Sequence, residues 1–171
     1  AIEQRGTSSL DAYNLYLMAR HHYTSGMLSD TRKNDTVIRL CRGAIELDPD
    51  YAQAWALMAV AQRFRLGMTG EGDNGNAAAT RAIELDANLA EAHSAKAGVL
   101  ASDGEYAAAE GEIRTALRLD PDSVDVLREA KTIDPGIISI IMTAFATTDT
   151  AVDALRLGAA EDEELVAVVA R

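Results

Sequence analysis

Three nearly identical stretches constrain what this chain can fold into: Ala44-Ile45-Glu46-Leu47-Asp48-Pro49, Ala82-Ile83-Glu84-Leu85-Asp86-Ala87 and Ala116-Leu117-Arg118-Leu119-Asp120-Pro121. The first two lie 38 residues apart and the last two 34. Apolar residues leading into them recur at helical spacing, as in Val37, Leu40, Cys41, Ala44 and Ile45, so each stretch closes a helix. A helix pair of this length cannot bury its apolar stripe alone, whereas stacked copies share one continuous core. The expected class is therefore all-α, an α-solenoid of stacked antiparallel helix pairs. Only 5% of the chain is aromatic while alanine is abundant, which suits helices in close contact better than a sheet.

Taken in order, residues 1–9 are polar and expected to fray, and Ser8 with Asp11 offers a helix start. Ala12, Leu15, Met18, Ala19 and His22 then recur on one face, with Tyr16 and Tyr23 beside it. A Gly/Ser/Asp-rich connection, 25–34, precedes a second helix from Asp35 to Leu47, which Pro49 stops because proline lacks the amide donor. Asp50 with Gln53 reads as a capping box for a helix over 52–66, and Asn88 with Glu91 as another where Ala87 replaces proline. Gly67 to Asn76 is a glycine-rich turn, Gly104 makes the next, and Tyr106 is expected to pack over that corner. Asp122 and Asp125 begin a further short helix, so residues 10–133 hold three repeats and one extra helix.

Beyond residue 134 the period fails. Ile137, Ile138, Ile141 and Phe145 form a broad apolar surface in the segment 134–171. Two readings fit it: a divergent helical cap closing the open end of the stack, or a self-association face that makes a homo-oligomer.

Charge is uneven, with a formal +1 over residues 1–66 and −12 over 67–171, for a net −11. Such a field opposes binding to nucleic acid or an anionic membrane and favours a basic partner, although solubility alone also accounts for it. One cysteine, Cys41, excludes an intrachain disulfide framework and falls where a buried apolar residue is called for. The longest strongly apolar run, Ile137–Met142, is too short to span a bilayer, so the given chain is not expected to insert into a membrane. A cytoplasmic location is expected, or a periplasmic one if the chain is part of a membrane-anchored protein, since it opens without methionine.

No enzyme signal is coherent. Gly70-Glu71-Gly72-Asp73-Asn74-Gly75 satisfies G-x-G-x-x-G but follows a helical pattern and lacks the βαβ setting that gives the motif meaning. The acids around Asp73 do not make a calcium loop, because Ala82 stands where the bidentate glutamate is required. His21 and His22 are adjacent and diverge on a helix, so no catalytic, cofactor or metal residue is assigned.

The third repeat, through Ala97, Leu100, Gly104, Tyr106, Ala109, Ile113, Ala116 and Pro121, resembles the tetratricopeptide repeat. The second matches it at Trp55, Met58, Ala59 and Ala82, and the first at Ala19, Val37, Cys41, Ala44 and Pro49. A narrower similarity, in Ala12–Arg20, Ala44–Ala52 and Leu89–His93, is to the degenerate repeat regions of bacterial adenylate cyclases and transmembrane transcription regulators. Neither a cyclase nor a DNA-binding module is recognisable.

The resemblance implies a right-handed solenoid whose first helices line a concave face, and a non-enzymatic module or scaffold that binds a protein or peptide there. It places Tyr13, Tyr16, Arg20, Tyr23 and Thr24 on that face, then Gln53, Ala56, Val60, Arg63 and Phe64, then Glu91, Ser94, Gly98, Ala101 and Ser102. Arg20 and Arg63 are suited to receive an acidic group while Tyr16, Tyr23 or Phe64 takes apolar side chains. The alternative is that the tyrosines are core and both arginines solvated. The Lys/Asn set by which some relatives grip a terminal carboxylate is missing, since Ser94 and Gly98 stand in its place.

Overall fold

Residues 6–26 and 30–134 are described in the structure, a computed structural model, and they form seven helices. These are α1 (Leu10–Thr24), α2 (Thr31–Leu47), α3 (Ala52–Thr69), α4 (Asn76–Leu85), α5 (Ala90–Ser102), α6 (Tyr106–Leu119) and α7 (Val124–Ile133). The expected C-terminal cap, and with it Ile137, Ile138, Ile141 and Phe145, lies outside the described residues.

The aspartate of each repeated stretch makes the turn. Asp48, Asp86 and Asp120 follow α2, α4 and α6, and the carboxylate of each accepts from the backbone N–H two residues on, at Asp50, Asn88 and Asp122. A short side chain that bonds its own backbone in this way offers the chain a turn in place of another helical residue. This is why the pattern repeats at aspartate even where Ala87 has replaced proline.

At that same turn His93 Nε2 lies 3.0 Å from the Ala87 carbonyl and Nδ1 lies 2.7 Å from Glu112 of α6. Both partners are acceptors, so the two bonds form together when both ring nitrogens carry hydrogen. The imidazole thus ties the proline-free turn to the next helix.

The helix starts differ from the sequence reading in detail. Neither expected capping box forms: α3 and α5 begin after Tyr51 and Leu89 with no side-chain cap, because the aspartate turns already hold the chain there. Ser9, not Ser8, caps α1 by accepting from the Ala12 N–H, and Ser123, not Asp122, caps α7 by accepting from Val126. Asp30 caps α2 and brings its start forward to Thr31. Thr7, expected in a frayed segment, is buried and donates its hydroxyl to Asp48. Tyr106 does not pack over its corner. It is the first residue of α6 and its side chain is 65% exposed.

Helices pair as α1 with α2, α3 with α4 and α5 with α6; the first pair stacks on the second through α2 on α3, the second on the third through α3 and α4 on α5, and α7 packs on α5 and α6. Alanines dominate the contacts. Ala52, Ala56, Ala82 and Ala92 form one cluster with Leu89, and Ala59, Ala61, Ala78, Ala79 and Ala95 join Val37, Leu57 and Met58 in another. Larger side chains gather where α7 docks: Val126 and Leu127 are buried with Ala130 against Ala97, Ile113, Ala116 and Leu117. Burying a valine or leucine contributes about 1.5–3 kcal/mol, so this stripe holds α7 in place.

Between α3 and α4 the glycine-rich loop runs through left-handed conformations at Gly70, Gly72 and Gly75. Gly75 is also pressed on α3: a Cβ there would lie 2.3 Å from the Ala59 carbonyl oxygen. The G-x-G-x-x-G pattern is therefore a turn following a helix. Among the described residues no helix is long and apolar enough to cross a membrane.

Cys41 is fully buried among α1, α2 and α3, and burial pushes its thiol up to about 12. The raised value keeps it protonated in the folded chain throughout the neutral range. In an Ellman's-reagent assay at neutral pH, Cys41 is expected to be silent in the native protein and to react fully in denaturant.

Candidate peptide-binding face

The first helices of successive pairs line one face, as the stacking requires. Tyr16, Arg20 and Tyr23 come from α1, Gln53, Ala56, Leu57 and Val60 from α3, Glu91 and Ser94 from α5, and Asp125, Val126 and Glu129 from α7. The space left between them is about 40 Å³, room for a water molecule or so and not for a peptide side chain. The chain's own α7 forms one wall of it.

Two acidic residues of α7, one helical turn apart, reach across the face. Asp125 accepts from Arg20 Nη1 at 3.1 Å and from the Tyr23 hydroxyl at 3.3 Å, and Arg128 of its own helix also donates to it at 2.9 Å. Glu129 accepts from Arg63 Nη2 at 2.8 Å. Each arginine is backed by a ring: the Arg20 guanidinium lies 5.6 Å from the Tyr23 ring centre, and that of Arg63 lies 4.4 Å from Phe64. A guanidinium against an aromatic face gains cation–π attraction and loses freedom, which aims its donors.

The Arg63–Glu129 pair is enclosed, with side chains only 12% and 15% exposed. Gly98 of α5 makes room for it, because a Cβ there would lie 2.5 Å from Glu129 Oε1 and 2.8 Å from Arg63 Cζ. The pair is also incomplete: Arg63 Nε and Glu129 Oε1 are buried without a hydrogen-bond partner. Burial pushes the Glu129 carboxyl above the usual carboxylate range, with Arg63 pulling it back in part. Burial, with Asp125 adding to it, raises the Tyr23 hydroxyl to about 12. Tyr16 is raised by burial as well.

Of the fifteen residues expected on the concave face, Tyr16, Arg20 and Tyr23 line the cleft, and Arg63 joins them through Glu129 with Phe64 beneath it. Tyr13 does not line it: it packs on Ala12, Ala44, Tyr51 and Ala54 in the α1–α2–α3 core. Gln53, Ala56, Val60, Glu91 and Ser94 fall on the cleft as expected, and Gly98 borders the ion pair. Thr24 and Ser102 bond their own helix backbones instead, at Arg20, His21 and Gly98.

Sequence reading missed Asp125, Val126 and Glu129 as members of the site. The available signal was two acids four residues apart on an amphipathic helix.

A wider opening, about 320 Å³, lies between α2, α3 and the glycine loop, lined by Arg39, Arg42, Arg65, Asp35 and Asp73 among others. Arg65 bonds Asp35 and the Glu71 carbonyl there, and Gln62 bonds Asp73. Among the described residues no group of three or more His, Cys, Asp or Glu side chains is placed to hold a metal ion.

Antiparallel helix pairs stacked one on the next make an all-α helical-repeat fold of the tetratricopeptide-repeat type. Solved structures of that class match the chain. The thermophilic tetratricopeptide-repeat protein TTC0263 of Thermus thermophilus is 16% identical, covers 99% of this chain and 83% of its own, and superposes with a TM-score of 0.62. The first such domain of Spaghetti, bound to an HSP90 peptide, is 18% identical over 77% of this chain and 97% of its own, with a TM-score of 0.57. No protein-family model and no curated protein matches the chain.

Proposed function

We propose that this chain is a non-enzymatic protein-interaction or scaffolding module whose concave face takes a carboxylate-bearing peptide or protein segment. The observation that carries this reading is the pair of ring-backed arginines, Arg20 and Arg63, each holding a carboxylate delivered from a distant part of the chain. Guanidinium forks suit carboxylates, and the neighbouring aromatic area suits an anchor residue. The Spaghetti domain was solved bound to a peptide of sequence SRMEEVD, and that acidic ligand supports the reading by analogy. Here the ligand's end is not gripped by a Lys/Asn clamp, since Ser94 and Gly98 stand in those positions. Recognition of internal acidic side chains fits this face better.

The narrower similarity to repeat regions of bacterial signalling proteins adds a regulatory setting, and it rests on residue patterns alone.

Selection from a random peptide library tests the reading. The native chain is expected to enrich carboxylate-bearing sequences, and Arg20→Gln/Arg63→Gln is expected to weaken the selected peptides at least ten-fold, about 1.4 kcal/mol, with helical circular dichroism retained. Selection of the same peptides by the variant with equal affinity would reject the site.

A further inference from the structure

We propose that α7 is a built-in stand-in for the partner, and that the partner is an amphipathic helix with two carboxylates one turn apart that exchanges for it. This rests on the reading of the concave face given above and adds what the face recognises and what masks it.

α7 has two edges with separate tasks. Val126, Leu127 and Ala130 seat it on α5 and α6, while Asp125 and Glu129 reach Arg20, Tyr23 and Arg63. The seat fixes where the acidic edge can lie, and the fit is imperfect. One bond joins Arg63 to Glu129 where a guanidinium–carboxylate fork allows two, and Arg63 Nε and Glu129 Oε1 are left buried and unmatched. Leaving buried polar atoms unpaired is unfavourable, so a carboxylate free to re-centre on Arg63 and close the fork binds better, contact for contact, than the tethered one.

The tether works the other way. A segment joined to its site by the short turn Asp120-Pro121-Asp122 competes at a high effective concentration. α7 is ten residues long, below the length at which an isolated helix is stable in water, so its helicity depends on the seat. Contacts that favour the incoming helix and a tether that favours the resident one make an exchange rather than an open groove. Charge makes the competition selective: a basic or neutral helix leaves Arg20 and Arg63 uncompensated.

A fluorescent peptide spanning Pro121–Asp134 serves as the probe, titrated into the full chain and into the full chain carrying Asp125→Asn/Glu129→Gln. The peptide is expected to bind the substituted chain at least ten-fold more tightly than the native one, because the resident helix no longer competes for the arginines. The same peptide bearing both neutral replacements is expected to bind neither chain. Helix-ordering cost is common to all arms and cancels in the comparison.

Equal acid-dependent affinity for the two chains would overturn the masking role of α7 while leaving the concave face as an acid-binding surface. Binding that does not depend on the peptide's carboxylates, or no binding to either chain, would overturn both. If the double replacement loses helical content, Asp125→Asn alone makes the same comparison at Arg20.

Discussion

Arg63→Met alone is expected to lower the stability of the chain by about 3 kcal/mol, Glu129→Leu alone by a similar amount, and the two together by less than about 1 kcal/mol. Each single replacement leaves a charge in a site where its side chain is 12% or 15% exposed, so water screens it poorly. The double replacement removes both charges and both unmatched atoms, and substitutes apolar groups of similar volume. Denaturant melts of the four chains give the coupling directly; a double variant as unstable as the sum of the singles would show that the pair is not a unit.

The same pair sets a pH dependence. Burial raises the Glu129 carboxyl in the folded chain above its unfolded value, so its contribution is fully present below the ordinary carboxylate range and is lost as pH rises through the raised value. Relative to Arg63→Met/Glu129→Leu, the native chain is therefore expected to gain stability as pH falls from neutral toward 4.5, the ordinary value. Protonation removes the carboxylate's desolvation cost and gives up part of the Arg63 attraction that opposes it, while the carboxyl oxygen, unlike a leucine, can still accept from Arg63.

Gly75→Ala is expected to cost about 3 kcal/mol, in the opposite direction to the usual effect of this replacement. In an open helix, alanine is favoured over glycine by about 1 kcal/mol. Gly111 in α6, with nothing within 4 Å of an added Cβ, is the control expected to behave that way. At Gly75, φ is +86°, a conformation that penalises a side chain by about 1–2 kcal/mol. The added carbon would also stand 2.3 Å from the Ala59 carbonyl oxygen, a backbone atom that moves only with α3. Thermal melts of the two variants beside the native chain check both signs; a neutral Gly75→Ala would mean that the loop can shift off α3 freely.

The fold was legible because its determinants are local. The recurrence at Asp48, Asp86 and Asp120 marks the turns, and the periodic alanines and aliphatics between them mark the faces that stack. Capping was misread for an equally local reason: Asp50/Gln53 and Asn88/Glu91 have the spacing of a box, but the aspartate two residues ahead in each case already bonds the backbone there.

The site was legible only by halves. Arg20, Arg63, Tyr16 and Tyr23 follow from counting along first helices. Their partners do not, because Asp125 lies 105 residues from Arg20 and Glu129 lies 66 from Arg63, separations bridged only by the curvature of the finished stack. Tyr13 and Tyr16, three residues apart on nearly the same side of the helix, both pack on the Ala12–Ala44–Tyr51–Ala54 cluster, and only Tyr16 also borders the cleft.

In a stack where every pair touches only its neighbours, thermal fluctuations can peel one end away while the other stays folded. The bond from Arg20 to Asp125 joins the first helix to the last described one and skips the pairs between them. Loosening either terminus then strains the opposite one, so the row of helices melts more nearly as a single body than its repeat architecture alone would dictate.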